Sequence, residues 1–230
     1  MFALLSRDTV IRFIFLVIRP YGWLPSRPSA RSTTEGKRLP VLVVVGPGLN
    51  TASAIPLRLF LRKRDWHWLW SVRVRGSSIA QQAQEVEKNV ARLLNETQTT
   101  KIDIVAHGAA GLAVAWYIRH SKHAICVRRL VTLSTPWNGT RMAVFGGWSK
   151  QLGELLPDAH SLDELQELST PTFSIWSQDD PLIVPSSSAS PQWAHAVGID
   201  GIGHFEMLVS PRALRAVQAA LNEPLTGPAS

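Results

Sequence analysis

The feature that most constrains the fold is a regular alternation of short apolar runs with amphipathic segments from Pro40 onward. Residues 41–45 are all aliphatic, as expected for a strand buried on both faces of a parallel sheet. Residues 78–95 carry apolar side chains at helical spacing. The same patterns predict further strands at 68–74, 101–106, 129–134, 171–177 and 194–199, and further helices at 52–62, 111–120 and 211–221. The chain is therefore predicted to have an α/β fold, with a mostly parallel central sheet and helices on both faces.

This alternation divides the chain into four parts. We predict an apolar and basic helix at residues 1–19, a proline- and serine-rich linker at 20–39, the α/β domain at 40–223, and a tail at 224–230. Glycines and two short helical stretches interrupt the alternation at 136–168. We expect this insertion to lie over the carboxyl ends of the strands as a small cap.

Positive charge is concentrated near the N terminus. The net charge is +7, and the first 40 residues hold seven basic and two acidic side chains. A basic segment on a nearly neutral domain favours an anionic membrane surface as partner, because nucleic-acid binding requires basic residues across a folded face. We therefore predict no nucleic-acid binding.

The N-terminal helix has two interpretations. Asp8, Arg12 and Arg19 fall on one narrow stripe of a helix, and the rest of its surface is apolar. Such a helix either lies in a membrane surface through residues 1–19 or packs on the domain, and the sequence leaves both open. We expect the protein in the cytoplasm or peripheral to the membrane, since Arg12 splits the apolar region that a cleaved secretory signal requires.

No cofactor is predicted. The single cysteine, Cys126, and the histidines have no spacing typical of a zinc site, and no glycine-rich phosphate loop with its lysine is present.

Five segments together resemble those of bacterial α/β-hydrolases of the triacylglycerol lipase and esterase type. Residues 43–48 stand where such lipases have a strand ending in His-Gly-x-Gly, and residues 106–111 where they have Gly-His-Ser-x-Gly-Gly. Residues 131–140 look like their Thr-Leu-Gly-Thr-Pro segment, residues 177–185 like their acid loop, and residues 201–204 like their histidine loop. The resemblance implies the α/β-hydrolase fold.

The resemblance also implies a catalytic triad, in the chain order serine, acid, histidine. His204 corresponds to the base and Asp180 to the acid, with Asp179 as the alternative acid. The serine position is occupied by Gly108, which has no side chain to form an acyl-enzyme. The implied triad is therefore incomplete.

The implied oxyanion hole is also altered. One of its donors is the backbone N–H of Ala109, and the other belongs by position to Pro47, which has no N–H. Loss of one such donor typically costs about 2.7–4 kcal/mol of transition-state stabilisation. The sequence thus predicts a lipase-like or esterase-like protein without ester hydrolysis.

Several functions follow as hypotheses. The first is binding of a small apolar molecule, a lipid or an ester, without turnover. The second is an enzyme of another class in which His204 and Asp180 act as a general base. The third is ester hydrolysis by a displaced nucleophile, for which the candidates are Ser134, Thr135 and Ser177.

A further hypothesis concerns a binding surface instead of a reaction. It combines the N-terminal helix with the region around Trp137 and Trp148, which would contact a membrane or a protein partner.

Overall fold

The computed structural model describes residues 2–17, 38–46, 48–146, 150–157 and 159–224. Pro47, Trp148, most of the predicted linker and the tail beyond residue 224 lie outside the described residues.

Six parallel strands form one sheet in the order β2-β1-β3-β4-β5-β6. The strands are β1 Val41–Val45, β2 Leu69–Arg73, β3 Ile102–His107, β4 Val127–Leu133, β5 Thr172–Trp176 and β6 His195–Gly198. Every residue of β1 and β3 is buried, because helices cover both faces of the sheet. The predicted parallel sheet is confirmed.

Seven α-helices lie within the described residues. They are α1 Phe2–Val17, α2 Ile55–Arg62, α3 Ile79–Thr97, α4 Ala110–His120, α5 Lys150–Gly153, α6 His160–Asp163 and α7 Pro211–Asn222. Apolar side chains of α3 and α4 pack in one core cluster, and those of α2 and α7 pack in a second cluster on the opposite face. Ser78 begins α3 because its hydroxyl accepts a hydrogen bond from the Gln81 N–H at 3.2 Å.

The strand order places a crevice between β1 and β3. The chain runs outward from β1 to β2 and then returns to form β3 on the other side of β1. Ligands of open α/β sheets bind outside the carboxyl ends of the strands at such a point of reversal. The loops that follow β1 and β3 therefore border the predicted site.

The insertion predicted as a cap contains a 3-10 helix at Arg141–Gly146 and the short helices α5 and α6. Thr140 ties it to the loop after β5, because the Thr140 hydroxyl donates to the Leu182 carbonyl at 2.8 Å and accepts from the Val184 N–H at 2.9 Å. The cap is thereby held over the carboxyl ends of the strands.

Helix α1 packs on the domain and also presents an apolar surface. Phe15 is 4% exposed in the core cluster beside α2 and α7, and α1 contacts the 3-10 helix Phe205–Leu208. Val10, Phe13 and Ile14 are exposed by 57%, 63% and 49%. Within the described residues, no helix is both long and apolar enough to span a bilayer.

The predicted exposure of Trp137 in a binding surface is wrong, whereas the prediction for Trp148 lies outside the described residues. Trp137 is fully buried, and its indole N–H donates to the Ser174 hydroxyl at 3.2 Å. Trp137 comes soon after the end of β4, and its ring lies in a core cluster. It therefore contributes to core packing and not to a binding surface.

Candidate functional site

The turn between β3 and α4 holds Gly108 in a left-handed backbone conformation, with φ of +59°. Its N–H donates to the Leu133 carbonyl at 2.8 Å, and its carbonyl accepts from the Thr135 hydroxyl at 2.9 Å. A residue with a Cβ atom is strained in this conformation, and glycine is not. The sharp strand–turn–helix geometry is therefore intact.

His204 and Asp180 form a buried pair at the carboxyl end of the sheet. His204 Nδ1 lies 2.8 Å from Asp180 Oδ2, and Asp180 Oδ1 accepts from the Leu182 N–H at 2.9 Å. Asp179 faces elsewhere, because its carboxylate accepts from the Gly201 N–H at 2.6 Å and the residue is exposed. Asp180, and not Asp179, is thus the carboxylate that orients the imidazole.

The interaction between His204 and Asp180 shifts the pKa of each side chain. Burial alone raises the pKa of Asp180, but the charge and hydrogen bond of His204 outweigh it, so that this pKa is lowered from 3.8. Burial alone lowers the pKa of His204, but Asp180 outweighs it, so that this pKa is raised from 6.5. The buried Ser134 side chain further lowers the pKa of Asp180. Its Oγ has no hydrogen-bond partner among the described residues. Each side chain therefore favours the charged form of the other.

Gly108 faces the other nitrogen of the same imidazole. A Cβ atom built on Gly108 would lie 3.0 Å from His204 Nε2 and 3.4 Å from Cε1. A side chain at position 108 would therefore point at the free nitrogen of the pair, which is the direction a nucleophile requires. A separation of 3.0 Å is also tighter than nearly all real Cβ contacts, so His204 would have to move to admit a serine.

None of the three candidate replacement nucleophiles hydrogen-bonds to His204 Nε2. The Thr135 hydroxyl donates to the Gly108 carbonyl, and the Ser177 hydroxyl accepts from the Asp179 N–H at 3.1 Å. The Ser134 hydroxyl acts on Asp180, which binds the opposite nitrogen of the ring.

Asp8 of α1 also supports the histidine loop. Its Oδ1 accepts from the backbone N–H groups of Phe205 and Glu206, at 2.7 and 3.2 Å. Burial raises the pKa of Asp8, whereas these hydrogen bonds oppose the rise. A Cβ atom at Gly203 would lie 2.8 Å from the same carboxylate oxygen. Asp8 thus caps, from a distant part of the chain, the 3-10 helix that follows His204.

His107 links the turn to the histidine loop. Its Nε2 donates to the His204 carbonyl at 2.9 Å, and the two rings are 4.6 Å apart in an edge contact. Burial, with the charge of His204, lowers the pKa of His107 to about 3, so this ring is neutral. Sequence reasoning missed the roles of both His107 and Asp8. For Asp8 the available signal was a lone carboxylate within an apolar helix.

A cavity of about 220 Å³ lies above Gly108, between the sheet and the cap. Apolar side chains from the loops and the cap form most of its wall, and His204 contributes polar surface. The wall consists of Gly46, Leu49, His107, Gly108, Ala109, Pro136, Thr140, Met142, Ala143, Leu152, Leu155, Leu182, Ile183, His204 and Phe205. Three or more His, Cys, Asp or Glu residues arranged to bind a metal ion do not occur in the described part of the chain.

The predicted oxyanion region is described in part. Ala109 is the N-cap residue of α4 and lines the cavity, next to Gly108. The other predicted position, Pro47, lies outside the described residues, and its role stays a prediction.

No protein-family model matches the sequence, and no curated protein matches it. Mature lipase BlEst2 of Bacillus licheniformis superposes with a TM-score of 0.70 at 10% identity, over 84% of this chain and 96% of the lipase. A Listeria innocua gene product superposes with a TM-score of 0.61 at 18% identity, over 83% of this chain and 96% of that one.

Lipase B of Aspergillus fumigatus superposes with a TM-score of 0.68 at 14% identity, over 85% of this chain and 55% of the lipase. Sequence identities this low show a shared fold and leave activity open. With its parallel sheet, its turn after β3 and these structural neighbours, the chain has the lipase- and esterase-like α/β-hydrolase fold.

Proposed function

We propose that this protein binds a small lipid or ester in its cavity and does not hydrolyse acyl esters. The observation that carries the proposal is Gly108 in the position that faces His204 Nε2. Acyl transfer by this fold requires a side-chain oxygen there. Removing the nucleophile of a serine protease costs about 10⁶ in kcat, so residual turnover should be negligible.

Two further features support the loss of hydrolysis. A Cβ atom at position 108 would lie 3.0 Å from His204 Nε2, so His204 would have to shift by a few tenths of an ångström to admit a serine side chain. Pro47 stands at the predicted position of an oxyanion donor and has no N–H. Each change opposes acyl transfer by a separate route, because one concerns the attacking group and the other concerns the developing charge.

The apolar cavity supports a binding role. A pocket with apolar walls and a few converging polar groups is the usual form of a small-molecule site. Here the polar group is the His204–Asp180 pair, which stays hydrogen-bonded at 2.8 Å.

Hydrolysis and binding are tested separately with the same protein. We expect no release of p-nitrophenol above buffer from p-nitrophenyl esters of short to long acyl chains. We expect saturable displacement of a fluorescent acyl probe by the methyl esters of the same acids. The variant His204→Ala tests the site, and His123→Ala is its control because His123 is exposed on the surface. Ester turnover by the wild type that His204→Ala abolishes and His123→Ala retains would refute the proposal.

A second candidate function is proton transfer without a nucleophile. The observation in its favour is that the His204–Asp180 pair is complete and that His204 lines the cavity. An imidazole whose pKa is set by a carboxylate is suited to act as a general base. This candidate fails if every activity detected with the purified protein is the same in His204→Ala.

A membrane contact through α1 is proposed as a second property. Val10, Phe13 and Ile14 lie at helical spacing, and all three are exposed. The basic residues of the N-terminal segment favour an anionic surface. Such a contact would bring the helix that carries Asp8 to the lipid.

Phe13→Glu is expected to reduce sedimentation with vesicles of phosphatidylserine and phosphatidylcholine by at least about fivefold, because it places a charge in the apolar contact. Ile125→Glu is the matched control, since Ile125 is 79% exposed at a site distant in sequence from α1. Equal sedimentation of Phe13→Glu and wild type would contradict the contact, as would equal losses in the two variants.

A further inference from the structure

We propose that the cavity binds a medium-chain carboxylate, with the carboxylate group against His204 Nε2 beside Gly108 and the alkyl chain between the apolar walls. The inference rests on the proposed function and narrows its ligand from lipids and esters to an anion, the free acid.

The polar atom that we assign to a ligand is His204 Nε2. His204 is 8% exposed, and its Nδ1 is taken by Asp180. Its Nε2 faces Gly108, and among the described residues only His204 has atoms within 4 Å of a Cβ built there, apart from the chain neighbours of Gly108. Glycine offers Nε2 no side-chain partner, and Gly108 and His204 both line the cavity, so we assign Nε2 as the donor to a ligand oxygen.

The start of α4 borders the same space. Ala109, the N-cap residue of this 11-residue helix, lines the cavity next to Gly108. The N–H groups of Gly111 and Leu112 donate to the Gly108 and Ala109 carbonyls at 3.0 and 3.1 Å, and the N-terminal end of the helix carries a partial positive charge. This arrangement favours a bound anion over a neutral group.

The charge of the imidazole selects the same ligand. Asp180 raises the pKa of His204, which favours the imidazolium, and an imidazolium donates from both nitrogens. A carboxylate on Nε2 then receives a charge-assisted hydrogen bond, whereas an alcohol or ester oxygen receives a weaker one. The ionisable groups around His204 are Asp180, Asp8, the neutral His107, and the ion pair of Arg7 with Glu206.

The charged groups around His204 determine how far a ligand carboxylate depends on the protonated imidazole. Asp180 already compensates one positive charge on His204, and the Asp8 carboxylate is held by two backbone N–H groups on the far side of the loop. The ligand carboxylate therefore depends on the protonated ring. Above the pKa of His204, the carboxylate binds only if His204 takes up one proton at the same time.

The volume of the cavity indicates the length of alkyl chain that it can hold. A volume of about 220 Å³ corresponds to roughly seven water molecules at about 30 Å³ each. Leu49, Leu155 and Ile183 are among the apolar walls that would contact a chain of this size. Octanoate is accordingly a suitable probe, and octanol and methyl octanoate are its neutral counterparts.

The test is isothermal titration calorimetry of the full chain with these three probes. At about pH 6 octanoate should bind at least about tenfold more tightly than octanol, because a hydrogen bond to a charged group adds affinity. Above the pKa of His204 the affinity for octanoate should fall about tenfold per pH unit, while that for octanol stays constant.

A variant provides a second measurement. His204→Gln should lose the preference for octanoate and retain octanol binding, whereas the control Asp179→Asn should keep both. If His204→Gln does not fold, the pH dependence of octanoate binding by the wild type is the deciding measurement. Equal affinities for octanoate and octanol, or an octanoate affinity that is constant to about pH 10, would overturn the inference while leaving the proposed function in place. Hydrolysis of methyl octanoate, or binding of none of the three probes, would instead overturn the proposed function.

Discussion

Replacing Gly111 by alanine is expected to lower the free energy of unfolding by about 3 kcal/mol. A Cβ atom at Gly111 would lie 2.1 Å from Thr135 Oγ1 and 2.7 Å from its Cγ2. Both residues are buried, and Thr135 cannot turn away without losing its hydrogen bond to the Gly108 carbonyl. Urea unfolding followed by tryptophan fluorescence measures the change.

Two further variants separate crowding from the general effect of the substitution. Gly153→Ala is the control, because a Cβ atom there has no neighbour within 4 Å, and its stability should change by less than about 1 kcal/mol. Thr135→Gly combined with Gly111→Ala should recover part of the loss, since it removes the crowded atoms. A Gly111→Ala protein as stable as the wild type would show that α4 does not pack this closely on the segment after β4.

Replacing Asp180 by asparagine is expected to cost about 3 kcal/mol of stability, because removing one partner of a buried ion pair leaves the other uncompensated. Asp180 and His204 are 4% and 8% exposed. Asp179→Asn is the matched control at the adjacent residue, and its cost should remain below about 0.5 kcal/mol because Asp179 is exposed.

The cost of Asp180→Asn should depend on pH in a defined direction. The pKa of His204 is raised from 6.5, so its contribution is complete below about pH 6.5 and is lost as pH rises through the folded value. The pKa of Asp180 is lowered from 3.8, so its contribution is present above about pH 3.8 and is lost as pH falls through the folded value. The difference from wild type should be largest between these limits and smaller at alkaline pH. A difference that keeps growing as pH rises above about 6.5 into the alkaline range would contradict the ion pair.

Local patterns in the sequence predicted most of the fold and the central residues of the site. Strand β3, the small residues of the turn and helix α4 are adjacent in the chain, so hydrophobic periodicity locates Gly108. His204 and Asp180 were predicted from their order and their loops, and the structure brings them to hydrogen-bonding distance.

The remainder depends on contacts that no local pattern encodes. The Asp8 carboxylate reaches N–H groups almost 200 positions later in the chain, and His107 binds a carbonyl 97 positions away. Trp137 was grouped with Trp148 in a hypothetical binding surface, yet its side chain is buried in the core. Such contacts arise only when the sheet and its loops are assembled.

The most direct test of the central claim is the intact mass of the purified protein after exposure to a fluorophosphonate. Such a reagent labels a serine that an adjacent base activates. Because position 108 is glycine and none of Ser134, Thr135 and Ser177 hydrogen-bonds to His204 Nε2, the account predicts an unchanged mass. A stoichiometric adduct on a serine of the wild-type chain, absent from His204→Ala, would contradict it.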